Sequence, residues 1–265
     1  MRFKKNFLFN YVRNAPLALA MERSMECEIM SGQEFVRPIL DIGCGDGLFA
    51  YILFDESLDV GIDLNHQELE RTRELGIYGE LIECDGSHIP KESGLFNTIF
   101  SNSVLEHIPD LQPVLTEAYR LLGSGGRFYV TIPTDKFDTY TVCYQLLSRL
   151  GLRAMAEAYR RFFNRFWKHF HFHAREDWEH IFERSGFEVL AVREYGSRAT
   201  CLMEDTFVPW ASFSFVTKKI LNRWIMFHRL RKVYIYPLYL LVRCLIRRLE
   251  QGKGEGLLFF ALRKK

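Results

Sequence analysis

Three glycines at alternate positions follow an acidic residue early in the chain. Residues 38–47 read PILDIGCGDG, so Asp41 is followed by Gly43, Gly45 and Gly47. Glycines at this spacing let the backbone turn sharply out of a strand and approach a ligand closely. A loop of this kind at the carboxyl end of a strand is typical of sites for nucleotide-like cofactors. The spacing differs from the G-x-G-x-x-G dinucleotide fingerprint, which makes a nicotinamide site the weaker interpretation.

Further polar residues follow the next three strand-like segments. Asp63 comes 22 residues after Asp41, at a position where a carboxylate can accept both hydroxyls of a ribose. Asp85 and Gly86 follow the third segment, and Asn102 follows the fourth. Each acid alone could be a turn or helix-cap residue. The ordered set instead favours one cofactor site at the edge of a sheet.

Short apolar segments alternate with helix-like segments over most of the chain. The predicted strands are residues 39–42, 60–64, 80–84, 98–101, 127–132, 187–193 and 256–263. The predicted helices are residues 15–30, 47–54, 65–75, 111–122 and 175–185. Alternation of this kind predicts an α/β fold with a doubly wound, mostly parallel sheet.

The residues above resemble the class I S-adenosylmethionine-dependent methyltransferases of the small-molecule methyltransferase type, whose signature is an acid followed by G-x-G-x-G. The similarity covers residues 36–133 densely, including VLEHI at 104–108, and residues 173–193 more thinly. It implies a seven-stranded sheet with helices on both faces, an antiparallel last strand, and a helical insertion before that strand. It also implies S-adenosylmethionine as the cofactor.

The resemblance assigns roles to individual residues. The implied cofactor-binding residues are Asp41, Gly43, Cys44, Gly45, Gly47, Asp63, Leu64, Asp85, Gly86 and Asn102. Asp41 would orient the methionine amino group, although it could simply cap the loop, and Asp85 would meet the adenine amine. Arg23 could contact the cofactor carboxylate or be a solvated helix residue.

Two histidines are candidate catalytic residues. His107 follows the fourth strand, where it could remove a proton from a hydroxyl acceptor or could pack at a helix start. In the segment KHFHFHAR, His169, His171 and His173 would share one face of an extended chain. Metal binding is the lesser interpretation, because no nearby Cys or closely spaced acid completes a ligand set. The resemblance favours His173 as an acceptor-side residue, and no metal is expected.

Two insertions accompany the expected single domain of residues 1–265. A helical cover is expected at 1–34, a helical acceptor-side insertion at 134–172, and a basic aromatic helical insertion at 195–255. The aromatic residues of the first insertion could line an acceptor pocket, although such residues at helical spacing more often form core.

Within the second insertion, residues 207–249 contain nine Lys or Arg and no Asp or Glu. This segment could lie on an anionic membrane surface, or pack as a lid or dimer surface. Nucleic acid is less favoured, because an aromatic-rich aliphatic helix suits phosphate tracking less well than a plain basic stripe.

Bulk properties are those of an ordinary globular protein. The chain has 265 residues, of which 48% are hydrophobic and 26% charged, and its formal net charge is +2. Six scattered cysteines without a C-x-x-C pair indicate a reducing compartment. The apolar run at the N-terminus is broken at Asn10 and Arg13, so export is not expected.

We therefore expect a cytoplasmic methyltransferase, or one peripheral to the membrane, acting on a small-molecule or lipid-linked acceptor. The alternative is a cofactor-binding interaction module without transfer activity. The sequence leaves the oligomeric state open.

Overall fold

A computed structural model describes residues 1–221, 224–225, 228–250 and 254–265. The parts of the predicted insertion at 222–223, 226–227 and 251–253 lie outside the described residues. In chain order the strands are β1 (Ile39–Ile42), β2 (Leu58–Asp63), β3 (Tyr78–Glu83), β4 (Phe96–Asn102), β5 (Leu122–Pro133), β6 (Phe187–Ser197) and β7 (Gly254–Lys264). All seven predicted strands are confirmed, and most extend by a few residues beyond their predicted ends.

The strands form a single seven-stranded sheet in the order β3-β2-β1-β4-β5-β7-β6. The pairs β1–β2, β2–β3, β1–β4 and β4–β5 are parallel, with Asp41 opposite Gly61 on one side and Phe100 on the other. The last strand, β7, runs antiparallel to both β5 and β6. The predicted fold class is therefore confirmed, including the antiparallel last strand.

Helices surround the sheet and also follow β5 and β6. In chain order they are α1 (Phe7–Asn14), α2 (Leu17–Met30), α3 (Leu48–Leu53), α4 (His66–Leu75), α5 (Leu111–Leu121), α6 (Val142–Arg149), α7 (Arg153–Trp167), α8 (Arg175–Arg184), α9 (Arg198–Leu221) and α10 (His228–Leu249). The five predicted helices correspond to α2, α3, α4, α5 and α8. The predicted cover at 1–34 contains α1 as well as α2.

Two apolar cores lie on opposite faces of the sheet because neighbouring strand residues point to opposite sides. Ile39 belongs to a core shared with α1, α2 and α3, whereas Leu40 belongs to a core shared with α5 and α8. Buried large side chains fill each core, such as Phe100 in the first and Trp178 in the second. This packing fixes the strand ends at which the polar residues lie.

The two predicted insertions are helical where the structure describes them. The first contains a short 3₁₀ helix at Phe137–Tyr140 followed by α6 and α7, and the second contains α9 and α10. Because β6 extends to Ser197, the second insertion begins at Arg198 rather than at 195. Within the described ranges, no helix is both long and apolar enough to cross a membrane.

Candidate active site

A cavity of about 620 Å³ lies at the edge of the sheet where the parallel strands end. Asp41, Asp63, Asn102 and Pro133, which lie at or near the carboxyl ends of β1, β2, β4 and β5, all line it. The volume falls in the range of small-molecule and cofactor sites. The topology therefore brings together polar residues that are up to 61 positions apart in the sequence.

The glycine loop forms one wall of this cavity. Gly43, Cys44 and Gly45 line it, and the amides of Gly43 and Cys44 both donate to the Ile62 carbonyl at 2.9 Å. Gly45 has a positive φ of 53°, and a Cβ at this position would meet no atom within 4 Å. The loop thus has open space where a ligand can approach the backbone. Gly47 is the N-cap residue before α3 and is not among the lining residues.

The carboxylate of Asp63, at the end of β2, is hydrogen-bonded to the glycine loop. Its Oδ2 accepts from the Gly45 amide at 2.9 Å, and its Oδ1 accepts from the Asn65 amide at 2.8 Å. Burial raises the pKa of Asp63, although these two backbone donors oppose the rise. Each oxygen retains a further lone pair, so the carboxylate can still accept hydroxyl groups of a ligand.

Asp41 lies deeper, beneath the loop. It is almost fully buried, and the hydroxyl of Tyr78 donates to its Oδ2. Burial raises the pKa of Asp41 to about 7. A carboxyl in such a place can both accept and donate a hydrogen bond near neutral pH.

The other predicted cofactor residues lie beside the cavity rather than on its lining. Asp85 accepts from the Ser87 amide at 2.7 Å, and this bond lowers the pKa of Asp85. Gly86 packs against Val114, and Leu64 is 67% exposed after the end of β2. All three follow β2 or β3, the two strands beyond β1 at one side of the sheet.

Arg23 reaches from α2 over the end of β4. Its guanidinium donates to Glu26 Oε2 at 2.7 Å and to Asn102 Oδ1 at 3.3 Å, and it also donates to Ser103 Oγ. Tyr195 donates to Glu26 Oε1 at 3.0 Å. Arg23 is therefore not a solvated helix residue. It lines the cavity within a largely buried polar network.

His107 lines the other end of the cavity, in a 3₁₀ helix spanning Leu105–His107. Its Nδ1 lies 3.3 Å from the carbonyl of Lys168, which can only accept, so Nε2 carries the lone pair. Burial lowers the pKa of His107. The His169 ring lies 5.0 Å from that of His107, and burial together with His107 lowers the pKa of His169 to about 4.

His173 is not among the residues that line the cavity. Its Nε2 lies 3.4 Å from His171 Nδ1, and its ring packs edge-on against Trp178 at 5.0 Å. His171 Nε2 contacts the carbonyl of Ile108 at 2.8 Å. Of the three alternate histidines, His171 and His173 therefore contact each other beside Trp178, whereas His169 lines the cavity. In the described parts of the chain, no cluster of His, Cys, Asp or Glu is arranged to hold a metal ion.

Helix α9 crosses the carboxyl edge of the sheet. It begins directly after β6, and its residue Lys218 pairs with Asp46 Oδ2 at 2.8 Å and with Glu68 Oε2 at 3.0 Å. The 20 residue-to-residue steps from Arg198 to Lys218 span about 30 Å as a helix. The distance from β6 to β2 is five strand spacings, about 24 Å, so one helix can close the cavity across the sheet.

The first half of α9 brings acids to the cavity. Glu204 and Asp205 line the wall, as does Glu22 of α2. Glu204 is 6% exposed, and burial is the main cause that raises its pKa well above the ordinary value. Burial also raises the pKa of Glu22 to about 7.

Glu22 and Glu204 belong to no sequence motif that assigns them to the site, and Lys218 is noticeable in the sequence only as part of the basic segment. Glu106 was noted only within the VLEHI motif, yet it is buried and lines the cavity. One signal was available: Glu204 and Asp205 are the last acids before the acid-free segment at 207–249.

Comparison with known proteins identifies the family to which this site belongs. A family model described as a methyltransferase domain matches residues 15–192, which is more than half of the chain. The chain belongs to this methyltransferase family. Membership confirms the resemblance seen in the glycine loop, and S-adenosylmethionine is accordingly the cofactor expected in the cavity.

Two curated methyltransferases illustrate the range of relatives. A ubiquinone biosynthesis O-methyltransferase of Pectobacterium atrosepticum is 33% identical over 105 residues, covering 37% of this chain and 44% of the relative. A sarcosine/dimethylglycine N-methyltransferase of Halorhodospira halochloris is 31% identical over 152 residues, covering 53% of this chain and 54% of the relative. This methyltransferase chain thus spans about half the length of the curated relatives it matches.

Solved structures of low sequence identity share the fold. A methyltransferase from Thermotoga maritima, described as a possible histamine N-methyltransferase, has a TM-score of 0.56 at 16% identity and covers 94% of this chain and 92% of its own. A [4+2]-cyclase has the same TM-score at 15% identity, covering 92% of this methyltransferase chain and 80% of its own. The fold extends beyond the family-model match to include β7.

Proposed function

We propose that this chain is an S-adenosylmethionine-dependent methyltransferase that acts on a small-molecule or lipid-linked acceptor. The observation that carries the proposal is the extent of the cavity. It reaches from the glycine loop and Asp63 to His107 and the aromatic residues of the first insertion, such as Phe163. One cavity therefore has room for a cofactor at one end and an acceptor at the other.

The residues at the cofactor end fit the expected ligand. Gly45 leaves open space beside the loop, and Asp63 has oxygens that can accept ribose hydroxyls. Asp41 and Arg23 are the proposed partners of the amino acid part, because both line the cavity close to β1 and β4. The proposed contacts of the adenine are Leu64, Asp85 and Gly86, which follow the adjacent strands β2 and β3.

The bound cofactor supplies a methyl group on a sulfonium, which is an activated leaving group. The chain must align the acceptor atom and exclude water. We assign the removal of the acceptor proton to His107, because its Nε2 carries a lone pair and its lowered pKa keeps it neutral. His173, which packs on Trp178 outside the lining, receives no role in this proposal.

Calorimetric titration with S-adenosylhomocysteine tests the cofactor part. Saturable binding at one site per chain is expected, with weaker binding to Asp63→Ala. The absence of saturable binding would contradict the proposal. Transfer is tested separately, by incubating the protein and labelled S-adenosylmethionine with small-molecule and lipid extracts.

The second candidate is a cofactor-binding interaction module that transfers no methyl group. We retain this candidate because a protein named as a [4+2]-cyclase has a similar fold, so the fold alone does not establish methyl transfer. Saturable cofactor binding without any labelled product from either extract would support this candidate. Labelled product from either extract would exclude it.

We further propose that α10 holds the protein on an anionic membrane surface from the cytoplasmic side. One side of the helix is used internally, since Ile235 and Val242 are buried and Arg231 donates to the carbonyls of Val12 and Ala15 at 2.6 and 2.7 Å. The outward side exposes apolar and basic residues, namely Tyr236, Leu240, Leu241, Arg243, Arg247 and Arg248. Such a face matches an interfacial helix on anionic lipid.

Vesicle flotation tests this second proposal. The protein should float with vesicles that contain phosphatidylglycerol and remain unbound with phosphatidylcholine alone. The double substitution Arg243→Glu and Arg247→Glu should abolish flotation, whereas the control Arg13→Glu on α1 should not. Equal behaviour with both vesicle types would contradict the proposal.

A further inference from the structure

The ionisable residues of the cavity wall are mostly acids. Eight lining residues are Asp or Glu, and two are Lys or Arg. At the cofactor end, Lys218 is paired with Asp46 and Glu68. The remaining lining holds four acids, and its single fixed cation is Arg23, which is also the proposed partner of the amino acid part of the cofactor. The four acids are Glu22, Glu106, Glu204 and Asp205.

Arg23 does not neutralise these four acids. Its guanidinium is held at 2.7 Å by Glu26, which is fully buried beneath it, and it also donates to Asn102 and Ser103. Glu22 is the acid of the lining that lies within ion-pair distance of Arg23, at 3.6 Å. Arg23 therefore forms its shortest ion pair with Glu26, which is not among the lining residues.

Glu204 lines the cavity and has one carboxyl oxygen without a hydrogen-bond partner among the described residues. The residue is more than nine-tenths buried, and its Oε1 has no hydrogen-bond partner among the described residues. Leaving a buried polar atom unpaired normally costs about 1–3 kcal/mol, so native structures rarely do so without a reason. A ligand that donates a hydrogen bond would satisfy Glu204.

Glu106, in the short 3₁₀ helix that includes His107, is a second lining residue of this kind. Its side chain is 2% exposed, and its Oε2 also lacks a hydrogen-bond partner within the described part of the chain. Its Oε1 lies 3.7 Å from Nε2 of His107, next to the proposed base. The two carboxyl groups therefore line one cavity and belong to different structural elements.

Aromatic rings also line the cavity. The lining includes Phe137, Tyr140, Phe163, Trp167 and His169. The faces of such rings attract organic cations, most strongly where water is excluded. Aromatic rings and unpaired carboxyl groups thus favour the same kind of ligand.

We propose that the acceptor is a small organic amine, recognised as a cation by the carboxyl groups of Glu204 and Glu106, and that its nitrogen is methylated. The proposal rests on the proposed methyltransferase function. The ammonium group loses a proton to a carboxylate or to His107. Its lone pair then forms the bond to the methyl carbon, while the carbon–sulfur bond of the cofactor breaks and that electron pair stays on sulfur.

Matched pairs of probes test the proposal while the cofactor site is saturated with S-adenosylhomocysteine. Benzylamine and 2-phenylethylamine are compared with benzyl alcohol and 2-phenylethanol, which have similar shape but no charge. The amines should bind at least tenfold more tightly by calorimetry than the alcohols. Glu204→Gln should remove most of this preference, whereas the exposed control Glu176→Gln should keep it.

Activity provides a second readout. Labelled methyl groups should enter a pool of primary and secondary amines, as N-methyl products identified by mass spectrometry, and not a pool of phenols and alcohols. Equal binding of amines and alcohols to the wild-type protein, or transfer to oxygen that Glu204→Gln leaves unchanged, would overturn the amine proposal. Loss of S-adenosylhomocysteine binding itself would instead count against the proposed methyltransferase function.

Discussion

The indole N–H of Trp224 donates to Asp46 Oδ2 at 2.7 Å, joining residues that are 178 positions apart. Asp46 belongs to the glycine loop, and it also pairs with Lys218, whose ammonium lies 4.2 Å from the centre of the Trp224 ring. These charged and hydrogen-bonding partners lower the pKa of Asp46 against the opposing effect of burial. The ion pair of Lys218 and the hydrogen bond of Trp224 thus connect the end of α9 and the residues after it to the loop that is expected to hold the cofactor.

Removing the hydrogen bond between Trp224 and Asp46 should increase the rate of cofactor release. Trp224→Phe keeps an aromatic ring but removes the N–H donor, and a lost hydrogen bond to a charged group is worth about 1.5–3 kcal/mol. We expect S-adenosylhomocysteine to dissociate about tenfold faster or more, as measured by stopped-flow displacement. The control Lys5→Met changes an exposed residue on the far N-terminal segment. If both variants release the ligand at the wild-type rate, α9 does not gate the cofactor site.

Asp63 should contribute more to cofactor affinity than Asp85. Asp63 lines the cavity and Asp85 does not, although both were assigned to the cofactor from the sequence. We expect Asp63→Ala to weaken S-adenosylhomocysteine binding at least tenfold in calorimetry, and Asp85→Ala to weaken it less. A larger effect at Asp85 would show that the adenine contact dominates over the ribose contact.

The proposed base should control turnover without controlling cofactor binding. We expect His107→Gln to lower kcat by about 10²-fold or more, in line with general base catalysis, with little change in S-adenosylhomocysteine affinity. The matched control is His173→Gln, which should leave kcat within a few-fold of the wild type. The opposite ranking of the two variants would move the catalytic role to His173.

The pH profile offers an independent check on His107. Because burial lowers the pKa of His107, the residue stays neutral to a lower pH than an ordinary histidine. The acidic limb of kcat should therefore have its midpoint below the ordinary pKa of about 6.5. The limb should disappear in His107→Gln, and a limb that persists unchanged would exclude His107 as its origin.

Glu106 should make the free protein less stable at high pH. Burial raises the pKa of Glu106 to about 8, from an ordinary value of 4.5. Below pH 4.5, Glu106 is protonated in both the folded and the unfolded chain, so its raised pKa does not lower the free energy of unfolding. Above pH 4.5 the unfolded chain ionises while the buried Glu106 stays protonated, so stability falls progressively until the pH reaches about 8 and levels off above it.

Glu106→Gln should therefore match the wild type near pH 5 and exceed it near pH 9. We expect a Tm difference on the order of 5 °C at the higher pH, since about 1 kcal/mol shifts Tm by about 2–4 °C in a domain of roughly this size. Thermal unfolding followed by circular dichroism measures this difference. The control Glu176→Gln, at an exposed site, should follow the wild type at every pH. A Tm difference between Glu106→Gln and the wild type that is the same at every pH would contradict the raised pKa of Glu106.

The cofactor end was predictable because its signals are local. The glycine loop, Asp63 and Asn102 each follow an apolar strand, and parallel strands that alternate with helices present their carboxyl ends at one edge. The two open alternatives for Arg23 were decided by its hydrogen bonds to Asn102 and Ser103, which no periodicity in α2 reveals. The position of His173 likewise depended on the packing of Trp178 in the core.

By itself, the sequence determined the fold class, the positions of the strands along the chain and the residues of the glycine loop, because short-range patterns specify these features. Only the tertiary structure decided that the basic residues of one segment have two different environments. Lys218 is drawn onto Asp46 and Glu68, whereas Arg243 and Arg247 of α10 remain exposed. It also decided that Glu204 faces the cavity. The position of α9 across the sheet depends on contacts between residues well over 100 positions apart, and hydrophobic periodicity carries no information at that separation.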